Sequence, residues 1–208
     1  MNQELKETDF YKTIDGKYSS EIKVKGSKFI ATAAHVSTKE DAQFFIDKIS
    51  SEYYDATHNC FAYRIGYDGM EFRAGDDGEP SGSAGKPILF AIKKYEFSDV
   101  IVVVTRYFGG TKLGVGGLAR TYSEAAETVL DKCKIKKVYR TQPVNVYCTY
   151  EDISPVKKLV EDYSVNFKDH YADAIEIVAE IPLSKIEEFT SKITSATSGR
   201  AGTVVKKN

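Results

Sequence analysis

The stretch TRYFGGTKLGVGGLAR (Thr105–Arg120) decides how the N-terminal part of the chain folds. It follows the aliphatic run Val100–Val104, which is typical of a strand buried on both faces. Five glycines within Gly109–Gly117 predict a loop. Apolar residues then recur every three or four positions over Leu118–Cys133, which predicts a helix with one buried face. The stretch therefore predicts a buried strand, a glycine-rich loop and a helix in succession.

Further strands and helices are predicted on the N-terminal side of this stretch. The segments Glu21–Lys25 and Phe29–Val36 read as two strands joined at Gly26-Ser27. A helix begins at Thr38, where acidic residues follow in the first turn. The remaining predictions are a hairpin of Cys60–Tyr67 with Met70–Arg73 around the turn Asp68-Gly69, and a helix over Pro87–Tyr95.

The C-terminal segment 141–208 has a regular alternation of strand and helix patterns. Apolar residues at Val144, Val146, Cys148 and Tyr150 have the period of two that is typical of a half-buried strand. A helix near Ser154-Pro155, two strands, a second helix that begins with the capping-box pair Ser184 and Glu187, and a last strand follow. The order β-α-β-β-α-β is that of a ferredoxin-like domain.

We therefore predict an α+β fold with two domains. The first domain takes residues 1–138 and the second takes residues 139–208, with the boundary at about Lys136–Pro143. A ferredoxin-like domain hosts many functions, so the fold alone does not identify an activity.

Composition excludes several classes of protein. The chain has 208 residues, 42% hydrophobic residues and a formal net charge of −1, so it is not a disordered or a strongly basic chain. The longest aliphatic run, Val100–Val104, is far too short to span a membrane. The first residues do not have the pattern of a secretion signal. Three widely spaced cysteines are typical of reduced, buried thiols, so we expect a cytoplasmic protein.

The glycine-rich loop is a candidate phosphate-binding site. No acidic residue occurs between Asp99 and Glu124, and glycines at the start of a helix expose N–H groups to an anion. The spacing matches neither a P-loop nor a dinucleotide-binding motif. A purely structural turn is the alternative. The residues of this candidate nucleic-acid or phosphate site are Arg106, Gly109, Gly110, Lys112, Gly114, Gly116, Gly117 and Arg120.

A second polar loop, GDDGEPSGSAGKP (Gly75–Pro87), is a candidate for the same cleft. Its carboxylates have the chemistry of magnesium ligands, but their spacing is not that of a known metal-binding loop. A solvated or protein-contacting loop is the alternative, and we predict neither a metal nor a cofactor. The candidate cleft residues are Asp76, Asp77, Glu79, Ser81, Ser83 and Lys86.

The tripeptide His58-Asn59-Cys60 has the residue types of a base and a nucleophile. In a strand, His58 and Cys60 share one face, but no third residue that would orient them can be identified. A packed strand is the better interpretation, and we predict no catalytic residue.

The two loops together resemble a known family. GDDGEPSGSAGKPIL (Gly75–Leu89) followed by VVVTRYFGGTKLGVGGLARTY (Val102–Tyr122) closely resembles the IMPACT family, whose members include translation regulators, and in particular its bacterial, YigZ-type members. The resemblance covers about residues 20–130. It implies an N-terminal domain similar to the second domain of a small-subunit ribosomal protein and to the fourth domain of elongation factor G. It also implies a C-terminal domain similar to the fifth domain of that factor.

The resemblance implies a connection to translation and no established catalytic residue. We therefore expect an RNA- or ribosome-binding regulatory protein. The alternatives are a protein-interaction module that regulates translation and contacts a translation-related protein, and an enzyme that acts on a phosphorylated small molecule.

Overall fold

The computed structural model describes residues 9–171 and 174–206, and the chain divides into two compact units. One unit is Tyr11–Val138. The other comprises the described residues of 1–10 and 139–208. Asp9 belongs to the second unit because its carbonyl accepts from Arg140 N–H (2.6 Å) and its carboxylate accepts from Ser184 N–H (2.9 Å). The domain bounds stay a prediction, and each unit is described by itself.

The N-terminal unit is built on a five-stranded antiparallel sheet in the order β2-β3-β6-β4-β5. A two-stranded sheet of β1 and β7 accompanies it. The strands are β1 (Phe10–Ile14), β2 (Lys17–Val24), β3 (Ser27–His35), β4 (His58–Ile65), β5 (Glu71–Gly75), β6 (Val100–Tyr107) and β7 (Ile135–Tyr139). The helices are α1 (Lys39–Glu52), α2 (Gly85–Lys94) and α3 (Val115–Leu130).

Helices cover both faces of this sheet. Alternate residues of β6 point to opposite faces, so Val102 and Val104 pack in one core with α2 and α3, whereas Ile101 and Val103 pack in a second core with α1. Burial on both faces explains why β6 reads as a continuous aliphatic run. The strand prediction for Val100–Thr105 is correct, and the strand extends two residues further, to Tyr107.

The predicted hairpin of β2 and β3 forms, with the turn one residue earlier than expected. Lys25 and Gly26 both have positive φ (48° and 80°), as the two central residues of a tight hairpin turn require. The helix start at Thr38 is also correct, because its side chain accepts from Asp41 N–H (3.0 Å).

The predicted two-residue turn at Asp68-Gly69 is wrong, because β4 ends at Ile65 and β5 begins at Glu71. The longer connection is held by Arg64, whose side chain donates to the carbonyls of Asp68 and Gly69 (both 3.0 Å). Within the connection, Gly69 N–H donates to Gly66 O (3.0 Å), so the tight turn has Tyr67 and Asp68 as its central residues rather than Asp68 and Gly69.

The C-terminal unit has the predicted β-α-β-β-α-β order, but its first strand ends at Cys148, so the predicted continuation to Tyr150 is wrong. Its antiparallel sheet has the strand order β11-β8-β10-β9, which is that of a ferredoxin-like domain. The elements are β8 (Thr141–Cys148), α4 (Ile153–Tyr163), β9 (Asn166–Tyr171), β10 (Ile175–Pro182), α5 (Ile186–Ala196) and β11 (Gly202–Val205).

The capping box predicted at Ser184 is wrong. A 3-10 turn, Leu183–Lys185, precedes α5, and the Ser184 hydroxyl donates to the Asp9 carboxylate. In a capping box the serine oxygen would accept a backbone N–H, whereas here the hydroxyl donates to a carboxylate in a charge-assisted hydrogen bond.

Candidate functional site

The two glycine-rich loops line one cavity in the N-terminal unit, as their candidate roles require. The first loop, 76–84, connects β5 to α2, and the second loop, 108–114, connects β6 to α3. The cavity has a volume of about 350 Å³. Its lining comes from both loops, from β6 and from the first turn of α3, and consists of Glu79, Pro80, Arg106, Phe108, Lys112, Leu113, Gly114, Val115 and Leu118.

A buried ion pair between Glu79 and Arg106 forms part of the lining. Arg106 is 5% exposed and Glu79 is 8% exposed, and Arg106 Nη1 lies 2.5 Å from Glu79 Oε1. The same carboxylate oxygen accepts from Tyr122 Oη (2.8 Å). Burial raises the pKa of Tyr122, and the neighbouring Cys60 and Glu79 raise it further, so this hydroxyl stays a donor. The charge of Arg106 is therefore neutralised inside the protein.

The guanidinium of Arg106 also lies between two aromatic rings. Its Cζ is 5.4 Å from the ring centre of Phe29 and 5.5 Å from that of Phe108. Nη2 donates to Ser27 Oγ (3.4 Å), whereas the buried Nε has no hydrogen-bond partner among the described residues. Contacts with two aromatic rings therefore position the Arg106 guanidinium together with its hydrogen bonds.

Asp76 holds the first loop in shape. Its carboxylate accepts backbone N–H groups from Gly82 (2.7 Å), Ala84 (3.1 Å) and Gly85 (2.8 Å). Burial raises the pKa of Asp76, but these three donors outweigh burial and leave the pKa below its ordinary value. Because Gly85 begins α2, Asp76 also satisfies the open end of that helix. Three of its roughly four acceptor positions are therefore used within the protein.

Asp77 and His58 form a second set of contacts within the first loop. Asp77 Oδ2 accepts Asn59 N–H (2.6 Å), and His58 Nδ1 donates to Asp77 O (2.7 Å). Asn59 Oδ1 in turn accepts from Thr105 Oγ1 (2.7 Å). His58 Nε2 lies 3.9 Å from Glu79 Oε1. The polar side chains at the start of β4 therefore fix the loop to the sheet.

Cys60 does not have the properties of a nucleophile. The thiol donates to Asp76 O (3.0 Å), and its sulfur lies 3.4 Å from Tyr122 Oη. Burial raises the pKa of Cys60 to about 12. A thiol of that pKa is almost fully protonated near neutral pH, which supports the packed-strand interpretation. All three cysteines are free and buried, as the sequence predicts.

The second loop requires glycine at different positions for different structural reasons. A Cβ on Gly109 would lie 1.8 Å from the carbonyl carbon of Gly26, so the loop backbone touches the β2–β3 turn directly. Gly109 N–H donates to Ser27 Oγ (3.1 Å). Gly110 and Gly114 have φ of 84° and 72°, with no atom near the site of a Cβ, so these two glycines meet a backbone requirement.

Helix α3 begins beside the cavity without a side-chain cap. Gly114 is the N-cap residue, and its carbonyl accepts from Leu118 N–H (2.8 Å). The N–H groups of Val115, Gly116 and Gly117 precede that first helical bond. The first turn of α3 contains no acidic residue. Gly116 and Gly117 belong to the helix rather than to the loop, contrary to the prediction that the loop extends to Gly117.

The remaining basic candidates are Lys112 and Arg120, and only Lys112 lines the cavity. Lys112 is exposed and lines the cavity. Arg120 is exposed on α3, and its Nη1 is 3.8 Å from the site of a Cβ on Gly116, so the side chain folds back towards the first turn. It does not line the cavity. It lines a separate surface depression whose other residues are Ser123, Glu124, Glu127, Thr128 and Asp131.

The other candidates of the first loop do not meet at the cavity. Ser81 and Lys86 are exposed and outside the cavity lining, and Ser83 is buried. Of the six cleft residues predicted from this loop, the structure brings only Glu79 to the cavity. The described residues contain no group of three or more histidine, cysteine or acidic residues that could hold a metal ion.

Tyr122 and the Glu79–Arg106 contact belong to the site, although no sequence motif placed them there. A signal for the ion pair exists, because Arg106 continues the alternation of Val102 and Val104 on one face of β6. An arginine at a core-facing position requires a buried acidic partner. The sequence does not show which of the three nearby carboxylates that partner is.

Comparison with known proteins agrees with this architecture. Residues 25–130 match the Impact N-terminal domain, and residues 146–200 match a domain of unknown function, DUF1949. The chain belongs to the IMPACT family. The family resemblance predicted from the two loops is therefore confirmed, and the loops lie within the matched N-terminal domain.

Two bacterial relatives match over most of their length. The IMPACT family member YvyE of Bacillus subtilis is 34% identical over 192 residues, which are 92% of this chain and 88% of that protein. The IMPACT family member YigZ of Escherichia coli is 31% identical over 180 residues, or 85% of this chain and 88% of that protein. A crystal structure described as that of an hypothetical protein is similar with a TM-score of 0.66 and 25% identity, covering 97% of this chain and 99% of that one.

This agreement supports the two-domain α+β fold predicted for an IMPACT family member. Among the described residues, no helix is both long and apolar enough to cross a membrane.

Proposed function

We propose that this IMPACT family member is a translation-associated protein that binds RNA, alone or within the ribosome, through the cavity between its two glycine-rich loops. The main support for this proposal is that the start of α3, which has no side-chain cap, and the exposed Lys112 lie together at that cavity. Free helical N–H groups and a lysine attract phosphate. The connection to translation rests on the family resemblance.

The buried pair of Glu79 and Arg106 refines this proposal. Arg106 was expected to contact phosphate, but its charge is already matched by Glu79, 2.5 Å away. We therefore assign phosphate contact to Lys112 and to the N–H groups of Val115, Gly116 and Gly117. Arg120, whose side chain folds back towards Gly116, adds positive charge to the outer side of the same helix turn. The near-zero net charge of the chain favours a local contact over extended binding along RNA.

A protein-interaction module is the second candidate, and exposed apolar side chains favour it. Met70, Phe72 and Phe90 are 73%, 48% and 67% exposed on the β4–β5 connection, β5 and α2. Exposed apolar side chains of this size are typical of interaction surfaces when they form a patch. The polar loop 76–84 is less suited to that role, because its three carboxylates are used in internal contacts.

An enzyme that uses these carboxylates has less support. Asp76 accepts three backbone donors, Asp77 accepts from Asn59 and Glu79 is paired with Arg106. A carboxylate that serves as a metal ligand or a base needs a free lone pair directed at the substrate.

Salt dependence of RNA binding tests the proposal. Affinity of the full chain for a short single-stranded RNA is measured by fluorescence anisotropy across a salt series. We expect log Kd to rise with log salt concentration, and Lys112→Ala to reduce the slope by about 1. Lys48→Ala is the matched control, because Lys48 is exposed on α1, which covers the opposite face of the sheet.

A flat salt plot, or equal effects of Lys112→Ala and Lys48→Ala, would contradict phosphate contact at this site. A pull-down from lysate with and without nuclease distinguishes the second candidate function, protein interaction, from RNA binding. Partners that survive nuclease favour protein contact through the exposed apolar residues, and partners lost with nuclease favour RNA.

A further inference from the structure

The walls of the cavity differ in chemistry from its rim. Five residues of the lining are apolar: Pro80, Phe108, Leu113, Val115 and Leu118. The only charged residues of the lining are the mutually neutralised Glu79 and Arg106, and Lys112. A space of about 350 Å³ with apolar walls and a few polar groups has the size and chemistry of a small-ligand site. A phosphate group inside such walls would lose much of its hydration, and Lys112 is the one cation of the lining that Glu79 does not neutralise.

Phe108 gives this cavity an aromatic surface that packing does not require. Its side chain is 46% exposed although it is a large apolar residue. One side of the ring meets the Arg106 guanidinium, at 5.5 Å from Cζ to the ring centre. A planar ligand that enters the cavity can stack against this surface.

We infer that the cavity takes the base of a single unpaired RNA nucleotide, whose phosphate lies at the α3 start beside Lys112. This inference rests on the proposed function and specifies its ligand. The apolar interior with an aromatic wall suits a flat heterocycle, and the positive rim suits the phosphate next to it. A base within a duplex is stacked on both faces, so only an unpaired base can enter.

An oligonucleotide without bases provides the test. Binding of the full chain is compared between a short single-stranded oligouridine and an abasic oligomer of equal length, which keeps every phosphate. Stacking of one base predicts about 5- to 100-fold weaker binding of the abasic oligomer. A duplex of the same length is expected to bind as weakly as the abasic oligomer.

Phe108 variants locate the base. Phe108→Ala should lower oligouridine affinity by about the same factor and leave abasic binding unchanged, and Phe108→Tyr should restore oligouridine affinity. Phe90→Ala is the matched control, because Phe90 is 67% exposed on α2 and outside the cavity lining. Thermal melting of each variant shows that the unit is folded, so that a loss of affinity is not a loss of structure.

The results separate this inference from the proposed function. Equal, salt-dependent binding of the oligouridine, the abasic oligomer and the duplex overturns the base site and leaves phosphate contact intact. The absence of binding to any of the three overturns both. Competition by free uridine monophosphate at the same nucleotide concentration overturns RNA as the occupant, since a mononucleotide would then be sufficient.

Discussion

A carboxylate placed at Gly117 should weaken anion binding without unfolding the protein. Gly117 lies in the first turn of α3, in a helical conformation without positive φ. An added Cβ would meet only the Leu113 Cβ, at 3.2 Å, so that side chain must yield by a few tenths of an ångström. The proposed phosphate would meet the new negative charge directly. Gly117→Asp therefore changes the charge of the site at little cost in packing.

Two stabilising contributions and one unfavourable contact determine the expected stability of the Gly117 variants. Replacing a helical glycine stabilises by about 0.4–1 kcal/mol, and the contact with Leu113 offsets part of that gain. A carboxylate in the first turn adds roughly 0.3–1 kcal/mol through the helix dipole. We expect the free energy of unfolding to lie within about 1 kcal/mol of the wild-type value for Gly117→Ala and within about 2 kcal/mol for Gly117→Asp, which is a melting shift of several degrees at most.

Binding should separate the two variants. Two like charges about 4 Å apart repel by about 1 kcal/mol in water and about 4 kcal/mol near a protein surface, so Gly117→Asp should weaken RNA binding about fivefold or more. Gly117→Ala, which keeps the backbone donors, should bind within about twofold of the wild type. Thermal melting and anisotropy titration at one salt concentration measure both quantities. Equal weakening by alanine and aspartate would refute an anion site, and unfolding by both would make the glycine purely structural.

Two further predictions concern groups inside the N-terminal unit. Glu79→Ala leaves Arg106 charged and buried, so we expect a loss of about 3–5 kcal/mol in urea denaturation, with a smaller loss in Glu79→Ala/Arg106→Met; equal losses would show that the pair is not the cause. The pKa of Asp76 is lower in the folded protein than its ordinary value of about 3.9, so its stabilisation is present above that value and is lost as pH falls through the folded pKa. Asp76→Asn should therefore be less stable than the wild type at pH 7 and should lose part of the decline in unfolding free energy below about pH 4; an unchanged pH profile would contradict this role of the carboxylate.

Much of the fold could be predicted because local patterns decide it. The period of two in Val144–Cys148, the aliphatic run of β6 and the cap at Thr38 each depend on neighbouring residues, and all three correspond to the structure. Predictions that depended on distant partners were wrong. Ser184 contacts Asp9 instead of capping α5, and Arg64 supports a connection whose tight turn lies one residue earlier than predicted.

The candidate site also combines features that local sequence predicts with features that depend on distant partners. The sequence indicates two glycine-rich loops and the basic residues near them, and the structure brings residues of both loops to one cavity. Whether a given carboxylate points into that cavity depends on which backbone donors face it. Asp76 and Glu79 are three residues apart, yet one caps α2 and the other pairs with Arg106. Such partners become neighbours only when the sheet has formed.

The contact between Gly109 and the β2–β3 turn has a consequence for how tightly a ligand can be held. The loop 108–114 is anchored at one end by its backbone against Gly26 and by the bond from Gly109 to Ser27. A free loop must give up conformational freedom when it closes on a ligand, and that cost lowers affinity. Here the fold has already immobilised this end of the loop. Less of the interaction energy is then spent on ordering the loop, so a ligand with a small contact area can bind more tightly than it would to a free loop.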